Sequence, residues 1–217
     1  MMAFSKTAPK TKGKGKVKGG GKGPAAGGAG AGPDDFAGTA RREAKLSLAA
    51  ASPVVNYSDV SALIASLPPV DQMAKLNIST APNSNRVKQE DRNIHVKAFL
   101  YAASREADND FHLIVGLDPK STSEMYMTME ISGLPPANYP AYASLNAART
   151  AYKQFFGSNL PGVGYHFYQP PIPVEITGSI FFDASHAIGQ APGPPSLKSR
   201  MPTIWEVHPI GSIRLGP

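Results

Sequence analysis

Apolar and polar residues alternate in several segments of the second half of the chain. Such alternation predicts strands that bury one face, because successive side chains of a strand point to opposite sides. Three strands are predicted close together, and two more follow after a longer interval. The predicted strands cover residues 92–104, 111–118, 124–132, 174–183 and 203–213.

Between the third and fourth predicted strands, the period of the apolar residues changes to that of a helix. Over residues 140–156, Leu145, Ala148 and Tyr152 recur at helical spacing, and Gly157 is suited to end the helix. Three strands, a helix and two strands is the order of an OB-fold, a small barrel with its helix between strands three and four. The sequence therefore predicts a mainly β fold with a helix, an OB-like five-stranded barrel.

The N-terminal region has a different composition from the rest of the chain. Residues 1–45 contain ten lysines and arginines against three acidic residues, a net charge of +7, whereas the remainder has a net charge of −1. Lysine, glycine and alanine dominate there, and a chain with so little apolar surface to bury is expected to be disordered. A short helix is predicted within residues 56–68, with Ser58 as its cap. The predicted organisation is a disordered basic arm (1–45), a short helix and linker (46–90) and an OB-like barrel domain (91–217).

Two absences from the sequence restrict its chemistry and its location. The chain has no cysteine, which excludes disulfides, thiolate catalysis and cysteine-bound zinc. No apolar run is long enough to span a bilayer, and the first residues have no apolar core of a signal peptide. We therefore expect a cytoplasmic or virion-internal protein.

Histidines and carboxylates interrupt the otherwise apolar last strands. Glu206 and His208 are two residues apart in a strand and so share a face. In a five-stranded barrel the fifth strand lies beside the fourth, so these residues are expected near the Asp183 end of that strand. The candidate polar cluster consists of Asp110, His112, Asp183, His186, Glu206 and His208.

Two roles for this cluster follow from its residue types. Imidazole and carboxylate ligands suit a divalent metal such as zinc, nickel or copper, with His186, Glu206 and His208 as the metal candidates, and the same groups suit general acid–base chemistry. The cluster can also simply satisfy buried donors and acceptors and stabilise the barrel. Catalytic residues are not identified by any of these patterns, and no cofactor is required by them.

Three motifs of the chain resemble those of a widespread group of bacterial proteins that carries no established activity. The motifs are Asp-x-His-Leu at Asp110, Thr-Gly-x-x-Phe-Phe-Asp-x-x-His at Thr177, and Glu-x-His-Pro at Glu206. They occur in order within residues 92–213. The resemblance implies an OB-like domain and gives no substrate.

A flexible, lysine-rich arm in front of an OB-like barrel favours nucleic-acid binding by a non-enzymatic accessory module. A metal-dependent hydrolase, a nuclease or phosphoesterase built on the polar cluster, is the first alternative. A structural or protein-interaction domain is the second. The predicted nucleic-acid contacts are Lys10, Lys12, Lys14, Lys16, Lys18, Lys22, Arg41, Arg42, Tyr126, Lys198 and Arg200.

Overall fold

The protein is mainly β, with six strands in one sheet and few helices. The computed structural model describes residues 32–50, 53–121, 125–186 and 192–217. The strands are β1 (Val55–Tyr57), β2 (Asn93–Arg105), β3 (Phe111–Gly116), β4 (Tyr126–Ile131), β5 (His166–Phe182) and β6 (Trp205–Leu215). The α-helices are α1 (Arg42–Lys45), α2 (Val60–Ala65), α3 (Val70–Ala74) and α4 (Tyr142–Phe156), and short 3-10 helices cover Lys88–Glu90, Gly157–Asn159 and Lys198–Arg200.

The pairings of five of these strands form a closed circuit. The strand order is β1-β2-β3-β4-β6-β5, and β2 also pairs with β5. The β1–β2 and β4–β6 pairs are parallel and the others are antiparallel. The prediction of five strands was therefore wrong by one strand, since β1 lies at the edge of a segment that was expected to be helical.

Two predicted helices are present, but their first residues differ from the prediction. The long helix α4 lies between β4 and β5 as predicted, and Gly157 follows it with a φ of +52°. The short helix α2 begins later than expected. Its cap is Asp59 rather than Ser58, because the Asp59 carboxylate accepts a hydrogen bond from the backbone N–H of Ala62 at 2.8 Å.

Strand β5 is longer than predicted because it continues through a proline-rich passage. Its first half, before Val174, pairs with β2 only, whereas residues 174–179 lie between β2 and β6 and residues 180–182 pair with β6. A proline lacks a backbone N–H and is tolerated where one side of a strand is unpaired. Pro170, Pro171 and Pro173 all lie in this singly paired half.

Strands β3 and β4 are buried on both faces. On one face Leu113 and Met129 belong to the main hydrophobic core, which also contains Tyr152 and Phe156 of α4. The opposite face carries polar residues beside a smaller apolar group that includes Ile114 and residues of the β5–β6 connection. The polar groups are therefore covered from outside the sheet and lie apart from the main core.

Residues 32–50 form an ordered segment across this second face, referred to here as the N-terminal strap. Phe36, Ala44 and Leu46 are buried in it. Arg41 forms a buried ion pair with Glu90 at 2.7 Å. The prediction of a disordered arm up to residue 45 was therefore wrong for residues 32–45, where Phe36 and Ala44 are packed and Arg41 is paired. Residues 1–31 lie outside the described part of the chain.

Within the described residues, no helix combines the length and the apolar character needed to cross a bilayer.

Candidate metal centre

Four side chains from three neighbouring strands project from the face covered by the N-terminal strap. His112 of β3 is the register partner of Glu130 of β4, and Thr128 of β4 is the partner of Glu206 of β6. Because β4 and β6 run in parallel and side chains alternate, His208 lies beside Glu130. We refer to His112, Glu130, Glu206 and His208 as the central quartet.

Glu130 lies in the middle of the central quartet, with one carboxylate oxygen near each histidine. Its Oε2 is 2.7 Å from Nδ1 of His208, and its Oε1 is 4.0 Å from Nε2 of His112. Oε2 of Glu206 is 3.9 Å from the same Nδ1 of His208. The His208–Glu130 contact is close but out of line for a hydrogen bond, since among the described residues Nδ1 of His208 has no hydrogen-bond partner. The four side chains therefore converge on one small volume.

The outer nitrogen of His208 is held by two groups outside the central quartet. Its Nε2 lies 3.1 Å from Oγ of Ser132 and 3.5 Å from Oδ2 of Asp110. The backbone N–H of Gly133 donates to the other Asp110 oxygen at 2.6 Å, which fixes this carboxylate. The imidazole is thus oriented with Nδ1 facing the glutamates.

His112 is oriented in the same way from the other side. Its Nδ1 lies 3.2 Å from the hydroxyl of Tyr165 and 3.7 Å from Oε1 of Glu106. Its Nε2, which faces Glu130, has no hydrogen-bond partner among the described residues. Each histidine therefore has one nitrogen engaged outside the central quartet and the other directed at Glu130, and metal-binding histidines are usually held from outside in this way.

Glu206 is the most isolated member of the central quartet. Its side chain is 1% exposed, and neither of its carboxylate oxygens has a hydrogen-bond partner within the described residues. A buried carboxylate without hydrogen bonds or a nearby cation is costly in a protein interior. We therefore expect the charge of Glu206 to be neutralised by a cation or by a proton.

Burial and mutual repulsion determine the ionisation of the carboxyl groups. Burial and the charges of Glu130 and Asp183 raise the pKa of Glu206 well above its usual value. Burial and the charges of Asp108 and Glu130 do the same to the pKa of Asp110. Without an added cation, both groups therefore tend to hold protons.

Glu130 and His208 have the opposite balance. Burial raises the pKa of Glu130, but its contact with His208 and the charge of Lys45 outweigh burial and hold that pKa well below its usual value. Burial lowers the pKa of His208 and outweighs the opposing effect of Glu130, which favours the neutral imidazole. An ionised carboxylate and a neutral imidazole are the forms that bind metals.

Lys45, at the end of α1 in the N-terminal strap, supplies one positive charge to this region. Its Nζ lies 3.8 Å from Oδ2 of Asp108. Burial lowers the pKa of Lys45, but the charges of Glu130, Asp110, Asp108 and Glu206 raise it by more. Lys45 is therefore a permanent cation beside the cluster.

Asp183 and His186 form a separate pair at the edge of the cluster. Nε2 of His186 is 3.1 Å from Oδ2 of Asp183, and the backbone N–H of Ser185 donates to Oδ1 at 2.8 Å. Burial raises the pKa of Asp183, but His186 and Lys45 outweigh it and the net shift is downward. This carboxylate already has its partners, unlike that of Glu206.

Geometry alone defines three sets of side chains whose ligand atoms lie within 4.8 Å of one another. Glu130 belongs to two of these sets and Glu206 to two. The sets are Asp110, Glu130 and His208; His112, Glu130 and Glu206; and Asp183, His186 and Glu206. These groups could hold a metal ion.

The six residues of the predicted polar cluster all lie in this region, and the sequence analysis missed Glu130 and Lys45. The pattern Met-Thr-Met-Glu-Ile-Ser contained the signal for Glu130, because Thr128, Glu130 and Ser132 alternate with the apolar residues and share the second face. Lys45 carried no such signal, since it was assigned to a disordered arm.

The structure does not support two of the predicted nucleic-acid contacts. Arg41 is buried in its ion pair with Glu90. Tyr126 is 2% exposed, with its ring against Tyr101 and under the guanidinium of Arg200, so it offers no free face for a base.

The other predicted contacts have different surroundings. The guanidinium of Arg42 lies over the ring of Phe36 at 5.7 Å. Lys198 and Arg200 are exposed on the β5–β6 connection. The six lysines from Lys10 to Lys22 lie outside the described residues.

Comparison of the chain with protein families, with curated proteins and with solved structures gives no match. The function is therefore argued from the site itself.

Proposed function

We propose that the protein is a metal-binding β-barrel module that holds a divalent ion in the central quartet. The observation that carries this proposal is the pair of imidazole nitrogens, His112 Nε2 and His208 Nδ1, that lack an aligned hydrogen bond and lie 4.0 and 2.7 Å from the two oxygens of the buried Glu130. We also propose that the closed circuit of strands is an OB-like barrel, because α4 lies between β4 and β5 as the helix of that fold does.

The separations within the central quartet suit a shared ion. Ligand atoms bound to one zinc ion at about 2.0–2.2 Å lie roughly 3–3.5 Å apart when the geometry is tetrahedral. The contacts of 2.7, 3.9 and 4.0 Å fall on both sides of this value. None of the three sets whose ligand atoms lie within 4.8 Å contains both histidines, so the proposal requires side-chain rotations around Glu130 to bring all four ligands to one ion.

The outer partners support the same proposal. Asp110 and Ser132 hold His208, and Tyr165 and Glu106 hold His112. Such partners fix the ring orientation and increase the basicity of the free nitrogen.

The ligand types select the class of ion. Two imidazoles and two carboxylates, without thiolate, suit zinc, manganese, iron, cobalt or nickel better than magnesium or calcium, which prefer oxygen ligands. Four protein ligands in a closed site are typical of a stabilising zinc ion rather than a catalytic one.

The experiment is to remove metal from the full-length protein with a chelator and then titrate it with Zn²⁺ or Co²⁺. We expect one ion per chain, a higher melting temperature on loading, and with Co²⁺ the visible absorption of a tetrahedral site. His208→Ala and Glu130→Gln should lose the ion.

A matched control is provided by a histidine outside the central quartet. The ring of His95 on β2 contacts Thr177, and His95→Ala should bind the ion as wild type does. His186→Ala should also bind, because His186 belongs only to the edge pair. Metal binding that survives loss of His208 or Glu130 would contradict the proposed ligand set, and an absence of binding by wild type would contradict the function.

The hydrolase alternative requires an open coordination position for water or substrate. A metal-loaded wild type that cleaves a phosphoester, with activity lost in Glu130→Gln, would favour it over a stabilising ion. The burial of Glu206 and His208 supports the stabilising role.

A second candidate function, nucleic-acid binding, is supported by the charge distribution. Residues 1–31 contain seven lysines and no acidic residue, so the rest of the chain has a net charge of −1. A lysine-rich arm with this charge would neutralise the phosphates of a nucleic acid without preference for its base sequence.

Deletion of residues 1–31 should therefore remove most affinity for single-stranded DNA or RNA and its dependence on salt. Replacing Lys198 and Arg200 by Gln in the full chain should weaken binding much less. Unchanged affinity after the deletion would contradict the role of the arm.

A further inference from the structure

Glu206 is shared between the central quartet and the pair of residues at the edge of the cluster. It belongs to one set of ligand atoms with His112 and Glu130, and to another with Asp183 and His186. In each set the ligand atoms lie within 4.8 Å of one another. We call Asp183, His186 and Glu206 the edge set. Both oxygens of Glu206 lack a hydrogen-bond partner among the described residues, so this carboxylate is available to either set.

The edge set leads from solvent to the interior of the protein. The side chain of His186 is 36% exposed, that of Asp183 is 11% exposed and that of Glu206 is 1% exposed. Asp183 directly follows β5, and Phe181 of that strand is the register partner of Glu206 on β6. The edge set therefore has an imidazole at its outer end and a member of the central quartet at its inner end.

The two outer members of the edge set are spaced as ligands of one ion would be. Nε2 of His186 and Oδ2 of Asp183 are 3.1 Å apart, and ligand atoms on one tetrahedral zinc ion lie roughly 3–3.5 Å apart. The other oxygen of Asp183 accepts hydrogen bonds from the backbone N–H and the hydroxyl of Ser185, which leaves Oδ2 directed at His186. Outer hydrogen bonds of this kind orient metal-binding carboxylates.

The edge set is expected to bind an ion less tightly than the central quartet does. It offers one imidazole where the quartet offers two, and imidazole is a favoured ligand of zinc, cobalt and nickel. Without an ion, Asp183 and His186 contact each other, whereas His112 Nε2 and His208 Nδ1 lack an aligned hydrogen bond. An ion in the edge set therefore gains stability by moving to the quartet, and Glu206 belongs to both positions.

We infer that the edge set is the loading site of the metal centre, where a divalent ion binds first before it passes through Glu206 to the central quartet. This inference rests on the proposed metal-binding function. It gives Asp183 and His186 a role in the rate of metal exchange and none in the affinity of the loaded centre.

The test compares the kinetics of Co²⁺ binding by wild type, His186→Ala and Asp183→Asn. Each metal-free, full-length protein is mixed rapidly with Co²⁺, and the visible absorption of the bound ion is followed with time. Loading should be at least about tenfold slower in both variants, which corresponds to about 1.4 kcal/mol in the barrier. The final spectrum and the number of bound ions should be those of wild type.

Release of Co²⁺ provides a second measurement. A group that lowers the barrier between solvent and the centre does so in both directions, so release into excess chelator should slow by the same factor as loading. The Kd, measured by competition with a chelator, should therefore keep its wild-type value. Loss of a ligand of the loaded centre, or a distortion of the fold around it, would change the Kd.

Two further variants locate the route of the ion. His95→Ala removes a histidine outside the cluster and should load at the wild-type rate. Glu106→Gln changes a 44% exposed carboxylate beside the outer nitrogen of His112, and slower loading confined to this variant would overturn the inference. Since the side chain of His186 is partly exposed, His186→Ala carries the test alone if Asp183→Asn does not give a cooperative thermal melt.

The outcomes distinguish this inference from the function on which it rests. Wild-type loading by His186→Ala, or a clear loss of affinity in that variant, would overturn the inference and leave the metal centre standing. No bound ion in wild type would overturn the proposed function itself.

Discussion

At the scale of single residues, Glu206 is the clearest sign that the cluster needs a cation. A carboxylate with both oxygens unpartnered and its surface 1% exposed destabilises the folded protein unless something neutralises it. The sequence analysis singled out Glu206 from its position in an apolar strand, but could not show that Glu130 would lie beside it. That required the register of β4 against β6.

Replacing Glu206 by Gln should separate the metal-free and metal-loaded states. In chelator we expect Glu206→Gln to be at least as stable as wild type, because Gln is a neutral isostere of the protonated carboxyl that the metal-free site favours. With Zn²⁺ at about 100 times its Kd, wild type should gain about 2.7 kcal/mol and the variant much less. Thermal melts of both proteins with and without Zn²⁺ provide the measurement. A variant clearly less stable than wild type in chelator would show that Glu206 has a stabilising partner in the metal-free protein.

At the scale of elements, two arginines, Arg41 and Arg86, join the N-terminal strap to the sheet. Arg41 donates to both oxygens of Glu90 at 2.7 Å and to the carbonyl of Phe182 at 3.1 Å. Arg86 donates to the carbonyls of Ser47 and His208, each at 2.7 Å, and so joins the N-terminal strap to β6. These contacts hold Lys45 over the cluster.

We expect Arg41→Met to destabilise the protein by about 3–5 kcal/mol, because it leaves the Glu90 charge buried without its cation. Lys88→Met, a change of an exposed residue near Glu90, should alter stability by less than about 0.5 kcal/mol. Urea denaturation of the two variants and wild type measures the difference. A loss below about 1 kcal/mol for Arg41→Met would mean that water or another side chain replaces the guanidinium.

Asp34 connects the start of the N-terminal strap to α4. Through this contact, the stability of the protein should decrease at acidic pH. It accepts hydrogen bonds from Arg149 at 3.0 Å and from Lys153 at 2.6 Å. Burial raises the pKa of Asp34, but these two cations lower it by more, so its pKa in the folded protein lies below that in the unfolded chain. The stabilisation is therefore present above the unfolded pKa of about 3.9 and is lost as the pH falls through the folded pKa.

Comparison of wild type with Asp34→Asn tests the direction of this pH dependence. The difference in unfolding free energy should be constant near neutral pH and should shrink below about pH 4. Urea denaturation at several pH values gives the curve. A difference that grows as the pH falls would contradict the assignment.

The strands and helices that have one apolar face were predicted well. Segments whose conformation depends on tertiary contacts were predicted poorly. The alternation in β2, β3, β4 and β6 and the period of α4 were sufficient for the sequence to locate those elements. The N-terminal strap has little periodicity, and it is ordered by distant partners such as Glu90 and Phe182 that no local pattern contains. The same applies to the first half of β5, a proline-rich passage that lies before the strand predicted at 174–183.

At the scale of the whole molecule, the chain consists of a described domain of nearly neutral charge and a lysine-rich segment in front of it. The packed part of the chain includes residues before 46, since Phe36 and Ala44 are buried. The two proposed functions therefore belong to different parts of the chain and can be removed separately.

Two deletions test this division of the chain. Removal of residues 1–31 should leave the melting temperature unchanged within about 2 °C, because that stretch has few apolar residues to bury. Removal of residues 1–50 should destabilise the protein severely, since it exposes the sites of Phe36 and Leu46 and leaves Glu90 unpaired. Differential scanning calorimetry of the two shortened proteins measures both effects. Equal melting temperatures would contradict a structural role of the N-terminal strap.

The distribution of the central quartet along the chain has a consequence for how the protein is made. His112 and Glu130 are synthesised early, whereas Glu206 and His208 follow about 75 residues later, after α4 and β5. A nascent chain that has not yet produced β6 offers an ion only half of the ligands. The contact that joins the N-terminal strap to β6 also forms late, because Arg86, which donates to the carbonyl of Ser47, donates to the carbonyl of His208 as well. If the centre binds an ion as proposed, capture of that ion would wait until β6 has joined β4, and a loaded centre would mark a chain whose folding is complete.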